Sequence, residues 1–234
     1  MRGKMALIFS LFLLLIAFGA CVHGRGQAQG RVPSGYTLLG DFAPTFYRTL
    51  DESSDEWPDE ERTESLLTAD GHVIGRVTRA FKRQLDIEGS ARLNDGRVVN
   101  FLKKTEDGWR YMVVNDAPYG LAATGDRLVP YRTLAVDPEM VPLGTVLFIP
   151  SLVGVRLPSG EVHDGYFLAH DTGQGITGRR IDLFVGFEND EDNTLTRSGQ
   201  IEDMKPLSIY RVDEATAQRV RERFRSQFER HESE

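Results

Sequence analysis

From Gly71 onward the chain is built of short apolar runs, each cut off by a turn signal. "GHVIGRVTRAF", "SARLNDGRVVNFL", "WRYMVVNDAPYG", "GYFLAHD" and "RRIDLFVGF" are examples. Asn94-Asp95-Gly96 between two apolar runs is a hairpin signal, because these residues tolerate the backbone that a tight turn between strands demands. "VDPEMVPLGTVLFIPSLVGV" reads as turn, strand, turn, and "YTLLGDFAPTFYRTL" has strand alternation with aromatics. No internal repeat at a fixed period is present. Many short strands with regular turns predict a mainly β fold, either a small closed barrel or a sandwich.

The two ends differ from this middle. "VDEATAQRVRERFRSQFERHESE" is rich in helix formers, with Asp213 as N-cap. Ala217, Val220, Phe224 and Phe228 recur at three and four residues, so a helix over 213–234 carries one narrow apolar stripe. That stripe packs on the outside of the barrel or serves a partner. At the start, Arg2 and Lys4 precede an apolar run from Ala6 to Ala20. The run is shorter than the ~20 residues of a spanning helix and ends in small residues, so 1–20 reads as an export signal, with a membrane anchor as the alternative. Cys21 is the only cysteine, so it has no partner for an internal disulfide. Its position after "FGA" resembles a lipobox, which implies lipidation at Cys21. Val22 after it, as in Gram-negative lipoproteins, implies the outer membrane. Cleavage by a general signal peptidase after Ala28 is the alternative. Residues 22–35 are polar and glycine-rich and read as a tether. This leaves 36–212 for the barrel domain.

The overall balance is that of a globular protein: 40% hydrophobic, 27% charged, net charge -7. A net negative charge argues against nucleic acid as a partner. "DESSDEWPDEERTES" is a solvated acidic loop, or a cation or partner site. No Gly-rich phosphate loop ending in Gly-Lys-Ser/Thr appears, and no GxSxG elbow. The histidines (His23, His72, His163, His170, His231) are scattered. No cofactor and no metal is expected.

What remains for chemistry is carboxylates held in apolar surroundings: Asp137 in "TLAVDPEMVPLG", Asp171 in "FLAHDTGQG" and Asp182 in "RRIDLFVG". Burial raises a carboxyl pKa, and neighbouring carboxylates push each other's values apart. That is the setting in which an acid keeps its proton near neutral pH. Strand alternation puts Arg180, Asp182 and Phe184 on one face and Ile181, Leu183 and Val185 on the other. Asp171 and Asp182 lie symmetrically about Ile176–Thr177, so a fold-back there would set them opposite each other on paired strands, with Cβ atoms ~4.5–5.5 Å apart. Gly173, Gly175 and Gly178 would let the loop turn tightly. Plainer roles stay open: a turn at Asp137-Pro138, an Asx-turn at Asp171, and a salt bridge from Asp182 to Arg179 or Arg180. His170 reads as a strand or groove-lining residue. A "DTG" string also marks aspartic proteases, but it occurs once here, so a protease would need a dimer.

"TLAVDPEMVPLGTVLFIP" followed by "FLAHDTGQGITGRRIDLFVG" resembles the Asp-Asp-Asp (3D) domain family, which includes membrane-bound lytic transglycosylase A and cell-wall enzymes of spore formers. "LDIEGSARLNDGRVVNF" is similar to that enzyme's "QGSGRL…DG" segment, and the match runs from Leu85 to Gly186. Where the family usually reads "DTGGAIKG", this chain has "DTGQGITG". The resemblance implies a double-psi β-barrel with a C-terminal α-helix here, and a groove for peptidoglycan strands. It implies cleavage between N-acetylmuramic acid and N-acetylglucosamine without water, leaving a 1,6-anhydro product. The family's acid/base falls on Asp182, with Asp171 and Asp137 in supporting catalytic positions. Thr172, Gly173, Gln174, Gly175, Arg180, Phe184 and His170 are then expected to bind the glycan. A glycan-binding barrel without catalysis is the competing expectation.

Overall fold

The computed structural model describes residues 30–231. The export signal at 1–20, Cys21 and the tether up to residue 29 lie outside the described residues. The elements are β1 (Thr37–Tyr47), β2 (Leu50–Asp51), β3 (Glu64–Leu67), β4 (Val73–Val77), α1 (Arg79–Glu88), β5 (Ser90–Arg92), β6 (Val98–Thr105), β7 (Gly108–Val114), β8 (Thr133–Val136), β9 (Val146–Phe148), β10 (Tyr166–Asp171), β11 (Arg180–Phe184), α2 (Thr194–Arg197), β12 (Leu207–Arg211) and α3 (Glu214–His231).

Six strands close into a barrel in the order β1-β11-β8-β10-β9-β12. Closure leaves no exposed edge to template aggregation. β1 with β11 and β8 with β10 run parallel; the other pairs are antiparallel. Phe42, Phe46, Leu134, Val136, Leu147, Phe167, Ile181, Leu183 and Ile209 fill the interior. This is the mainly β closed barrel with a C-terminal helix that the sequence and the resemblance predicted.

Not every strand of 36–212 enters the ring. After β1 the chain leaves for a second body: the sheet β2-β5-β6-β7, the hairpin β3-β4 and α1. Its own core joins Leu50, Leu66, Phe81, Leu85, Val99 and Tyr111. Local alternation reveals a strand but not its partner, so one barrel over the whole span was too simple. The hairpin expected at Asn94-Asp95-Gly96 joins β5 to β6, with Gly96 at φ 85°. α1 corrects the strand reading of "VTRAF": Thr78 caps it by accepting the Phe81 N–H, and Phe81 and Leu85 bury one face. Gly89, left-handed at φ 84°, ends it.

The two bodies are sewn together by polar contacts. The amide of Asn100 donates to Leu121 O and accepts the Leu121 N–H. The Arg48 N–H donates to Glu88 Oε2 at 3.0 Å, joining β1 to the end of α1. At the other end, Asp213 accepts the Thr216 N–H at 2.9 Å, as expected of an N-cap. Ala217, Val220 and Phe224 of α3 pack against Val146, Phe148 and Leu168 on the outside of the barrel. The side chain of Phe228 lies outside the described part. Asp164 binds α3 electrostatically, with Arg132 Nη1 at 2.5 Å on one oxygen and Arg223 Nη2 at 2.6 Å on the other. Among the described residues no helix is long and apolar enough to cross a membrane.

Candidate active site

The predicted faces of β11 are the observed ones. Ile181, Leu183 and Val185 enter the barrel core, while Phe184 joins a separate cluster on the outer face with Tyr47, Ala122 and Ala135. Asp182 points the same way as Phe184. Thr45 sits beside it on β1, in register with Asp182, and its hydroxyl donates to Asp182 Oδ1 at 2.8 Å. Asp182 is half-buried, and burial pushes its carboxyl up to about 6. The carboxylates of Asp171 and Asp190 push the same way, while Thr45 and Arg180 oppose.

Asp171 reaches this face by an irregularity. Ala169 lies in the barrel core, and strict alternation would send Asp171 inward with it. The register of β10 on β8 shifts between Ala169 and Asp171 and turns the carboxylate out. There Oδ1 accepts the N–H groups of Ala123 and Thr172, each at 2.9 Å, and Oδ2 accepts the Tyr47 hydroxyl at 2.9 Å. Burial raises this carboxyl; the three donors oppose it by stabilising the ionised form. The Tyr47 hydroxyl, buried and beside Asp171, is held well above its usual value and so remains a donor.

Asp171 and Asp182 do not oppose each other on paired strands as expected. β8 runs between β10 and β11, and both aspartates register on the same residue, Ala135. Two strand spacings, ~9.5 Å, therefore separate their backbones. The fold-back was wrong because the loop 172–179 crosses over β8 rather than making a hairpin. What lets the carboxylates share an environment is the methyl side chain between them.

Asp137 serves the loop. Its Oδ1 accepts the Glu139 N–H at 2.9 Å and its Oδ2 the Gly178 N–H at 2.6 Å. The loop is pinned by Ile176, buried in the outer-face cluster, and by Arg180, which donates to Gly175 O at 3.3 Å. Thr172, Gly173, Gln174 and Gly175 are exposed along the rim, and Arg180 is half-buried beside Asp182. One expected glycan contact is corrected. Phe184 is fully buried between the rings of Tyr47 and Tyr119, with centroids at 5.0 and 5.9 Å. It supports the site from beneath. His170 faces Asp126, with Nδ1 3.2 Å from Oδ2, rather than the carboxylate pair.

Thr45, Tyr47, Ala123 and Ala135 are not apparent from the sequence. Thr45 and Tyr47 have one available signal, alternation with Phe42 and Phe46 along β1, but nothing local tells which carboxylates they meet. Glu88 is a further buried carboxyl. The Arg48 guanidinium pairs with both oxygens of Glu56 at 2.9 Å, so Glu88 has only N–H donors, and burial pushes it up to about 7. A cavity of about 1580 Å³ lies on the other side of Tyr119, lined by Pro118, Tyr131, Leu157 and Phe187; none of the three aspartates lines it. Among the described residues no group of three or more His, Cys, Asp or Glu side chains is placed to hold a metal ion.

One barrel face thus carries a half-buried acid with a raised pKa, a second carboxylate and an exposed glycine-rich rim. Residues 132–204 match the family profile of the 3D domain. The matched stretch runs from β8 to the segment before β12, under a third of the chain. The solved structures it is similar to include a membrane-bound lytic murein transglycosylase from Agrobacterium tumefaciens, at 15% identity and a TM-score of 0.52, covering 76% of this chain and 75% of that one. E. coli MltA with bound chitohexaose follows at 14% identity and 0.48, covering 74% and 71%. LtgG of Burkholderia pseudomallei, a lytic transglycosylase, is 17% identical at 0.40, covering 73% and 71%. At these identities the first likeness is one of fold. No curated protein sequence matches the chain.

Proposed function

We propose that this protein is a lytic transglycosylase of peptidoglycan. The observation that carries the reading is Asp182: a carboxyl held at about 6, half-buried, with Thr45 orienting one oxygen and Asp171 nearby. Enzymes that hydrolyse glycosides use two carboxylates with separate roles. Here one carboxyl suffices. Asp182 in its acid form donates its proton to the glycosidic oxygen as the bond from C1 of N-acetylmuramic acid breaks. The sugar's own 6-hydroxyl attacks C1, and its proton goes to the Asp182 carboxylate. Asp182 ends as it began, no water enters, and the product is a 1,6-anhydro sugar. Ionised Asp171, held by three donors, stabilises the positive charge developing at C1. Asp137 holds the loop, and the rim Thr172–Gly175 with Arg180 receives the glycan.

The reading extends to place. An exported protein lipidated at Cys21 would be anchored at the outer membrane without spanning it, facing the wall. The test is mass spectrometry of sacculi digested by the purified full chain. Wild type should release 1,6-anhydromuropeptides, and Asp182→Asn, with an unchanged circular dichroism spectrum, should release none. Reducing ends would make the protein a hydrolase, and absence of any product would make it a glycan binder. Anhydro product from Asp182→Asn would remove Asp182 from the chemistry.

A further inference from the structure

One oxygen of Asp171 depends on a turn outside the chemistry itself. Leu121 and Arg127 bridge, and between them the Ala122 N–H donates to Asp126 O at 2.8 Å and the Gly125 N–H to Ala122 O at 2.9 Å. The root of the turn is held by Asn100. Its tip, Ala123 to Asp126, is exposed, yet from that tip the Ala123 N–H reaches Asp171 Oδ1. Only polar contacts tie the tip to β10. The Thr124 N–H donates to His170 O at 3.1 Å. Asp126 Oδ2 accepts the Thr124 hydroxyl at 2.8 Å and lies 3.2 Å from His170 Nδ1.

We infer that Asp126 and His170 are a positioning pair, whose contact holds the turn where the Ala123 N–H meets Asp171. This rests on the role proposed above for Asp171. A backbone donor must be aimed by whatever fixes its segment; Ala122, buried in the outer-face cluster, holds one side of the turn, but the exposed tip from Ala123 to Asp126 has little apolar packing of its own. The His170 ring lies on the residue next to Asp171, so a turn clamped to that ring is clamped in register with the carboxylate. The charged and titratable groups around are few. Tyr47 from β1 and Asp182 from β11 face Asp171; Asp126 from the turn and Arg221 from α3 face His170.

Two effects of removing Asp126 have opposite signs, which makes the inference testable. Losing its negative charge would lower the Asp171 pKa. Losing the Ala123 N–H would raise it, because that donor favours the ionised form. The measurement is the Asp171 carboxyl titration by ¹³C NMR on the full chain. Asp126→Ala and His170→Ala should both move the midpoint up by about one pH unit, the effect of one lost hydrogen bond to a charged group. Asp126→Asn keeps an oxygen for the His170 and Thr124 donors and should stay at or slightly below wild type. An unchanged midpoint in both alanine variants overturns the inference, as does an equal downward shift in both Asp126 variants. If Asp126→Ala does not fold, the midpoint of His170→Ala alone supports or overturns the pair. In the digestion assay the acid limb of anhydro release should rise with the midpoint. A wild type that releases no anhydro product overturns the lyase reading, and the titration alone then decides the pair.

Discussion

Burial is the chief cause that raises the Asp182 carboxyl, and Thr45 is the side chain whose hydrogen bond works against it. Thr45→Val keeps the shape and removes that donor to the ionised form. The Asp182 pKa should then rise by about one pH unit. Because the acid form starts the reaction, activity should persist to higher pH, and the basic limb of the pH–rate profile for anhydro release should move up by that amount. A limb that stays in place would assign it to another group. At this scale the sequence was half legible. An aspartate inside "IDLFVG" with apolar neighbours on the opposite face announces itself, because strand periodicity is local. Its hydroxyl partner is 137 residues away in the chain and carries no local mark.

Between elements, the site depends on how closely three strands carry their side chains. Ala135 of β8 is 3% exposed and flanked in register by Asp171 and Asp182. Ala135→Leu should cost about 1–3 kcal/mol through overpacking. It should also push Asp171 away from Asp182, lower the Asp182 midpoint and abolish anhydro release. A leucine variant with wild-type rate would show that the two carboxylates need no shared gap. The join between α1 and β1 titrates as well. Folded Glu88 sits at about 7, above an ordinary carboxylate at ~4.3, so between these values the folded chain holds a proton that the unfolded chain has lost. Wild-type stability therefore falls as pH rises through that window. Glu88→Gln, which cannot ionise, should be more stable than wild type by about 2 kcal/mol at pH 8, with the gap closing below pH 4. Calorimetric Tm values at the two pH extremes check the sign. α1 itself was within reach of the sequence: Thr78, then Phe81 and Leu85 four apart, then Gly89 form a capped helix. The shortness of the run and the β-branched "VIGRV" before it favoured a strand.

For the whole molecule, the helix that closes the chain is tied to the barrel by an ion triad as well as by Phe224. Arg132 is 7% exposed, and Asp164 offers one oxygen to it and the other to Arg223. These two arginines hold the Asp164 carboxyl below the usual range. Its contribution is therefore present above pH ~4 and is lost as pH falls further. Asp164→Ala should destabilise the protein by about 3 kcal/mol near neutral pH, because it leaves a buried guanidinium without its counter-charge. The deficit should shrink in acid, which urea denaturation at pH 7 and pH 3 would show.

Most of the strand content, the two faces of β11, the amphipathic end and the three aspartates were determined by the sequence itself, because side-chain alternation and helical periodicity follow from a few adjacent backbone units. Which strand lies beside which was decided by the tertiary structure alone. Pairing depends on burying all apolar faces at once across long loops, and no short window encodes it. That β8 separates β10 from β11 turned an imagined face-to-face pair of aspartates into two carboxylates either side of Ala135. The pairing of β1 with β11 drew Thr45 and Tyr47 from the far end of the chain to meet them.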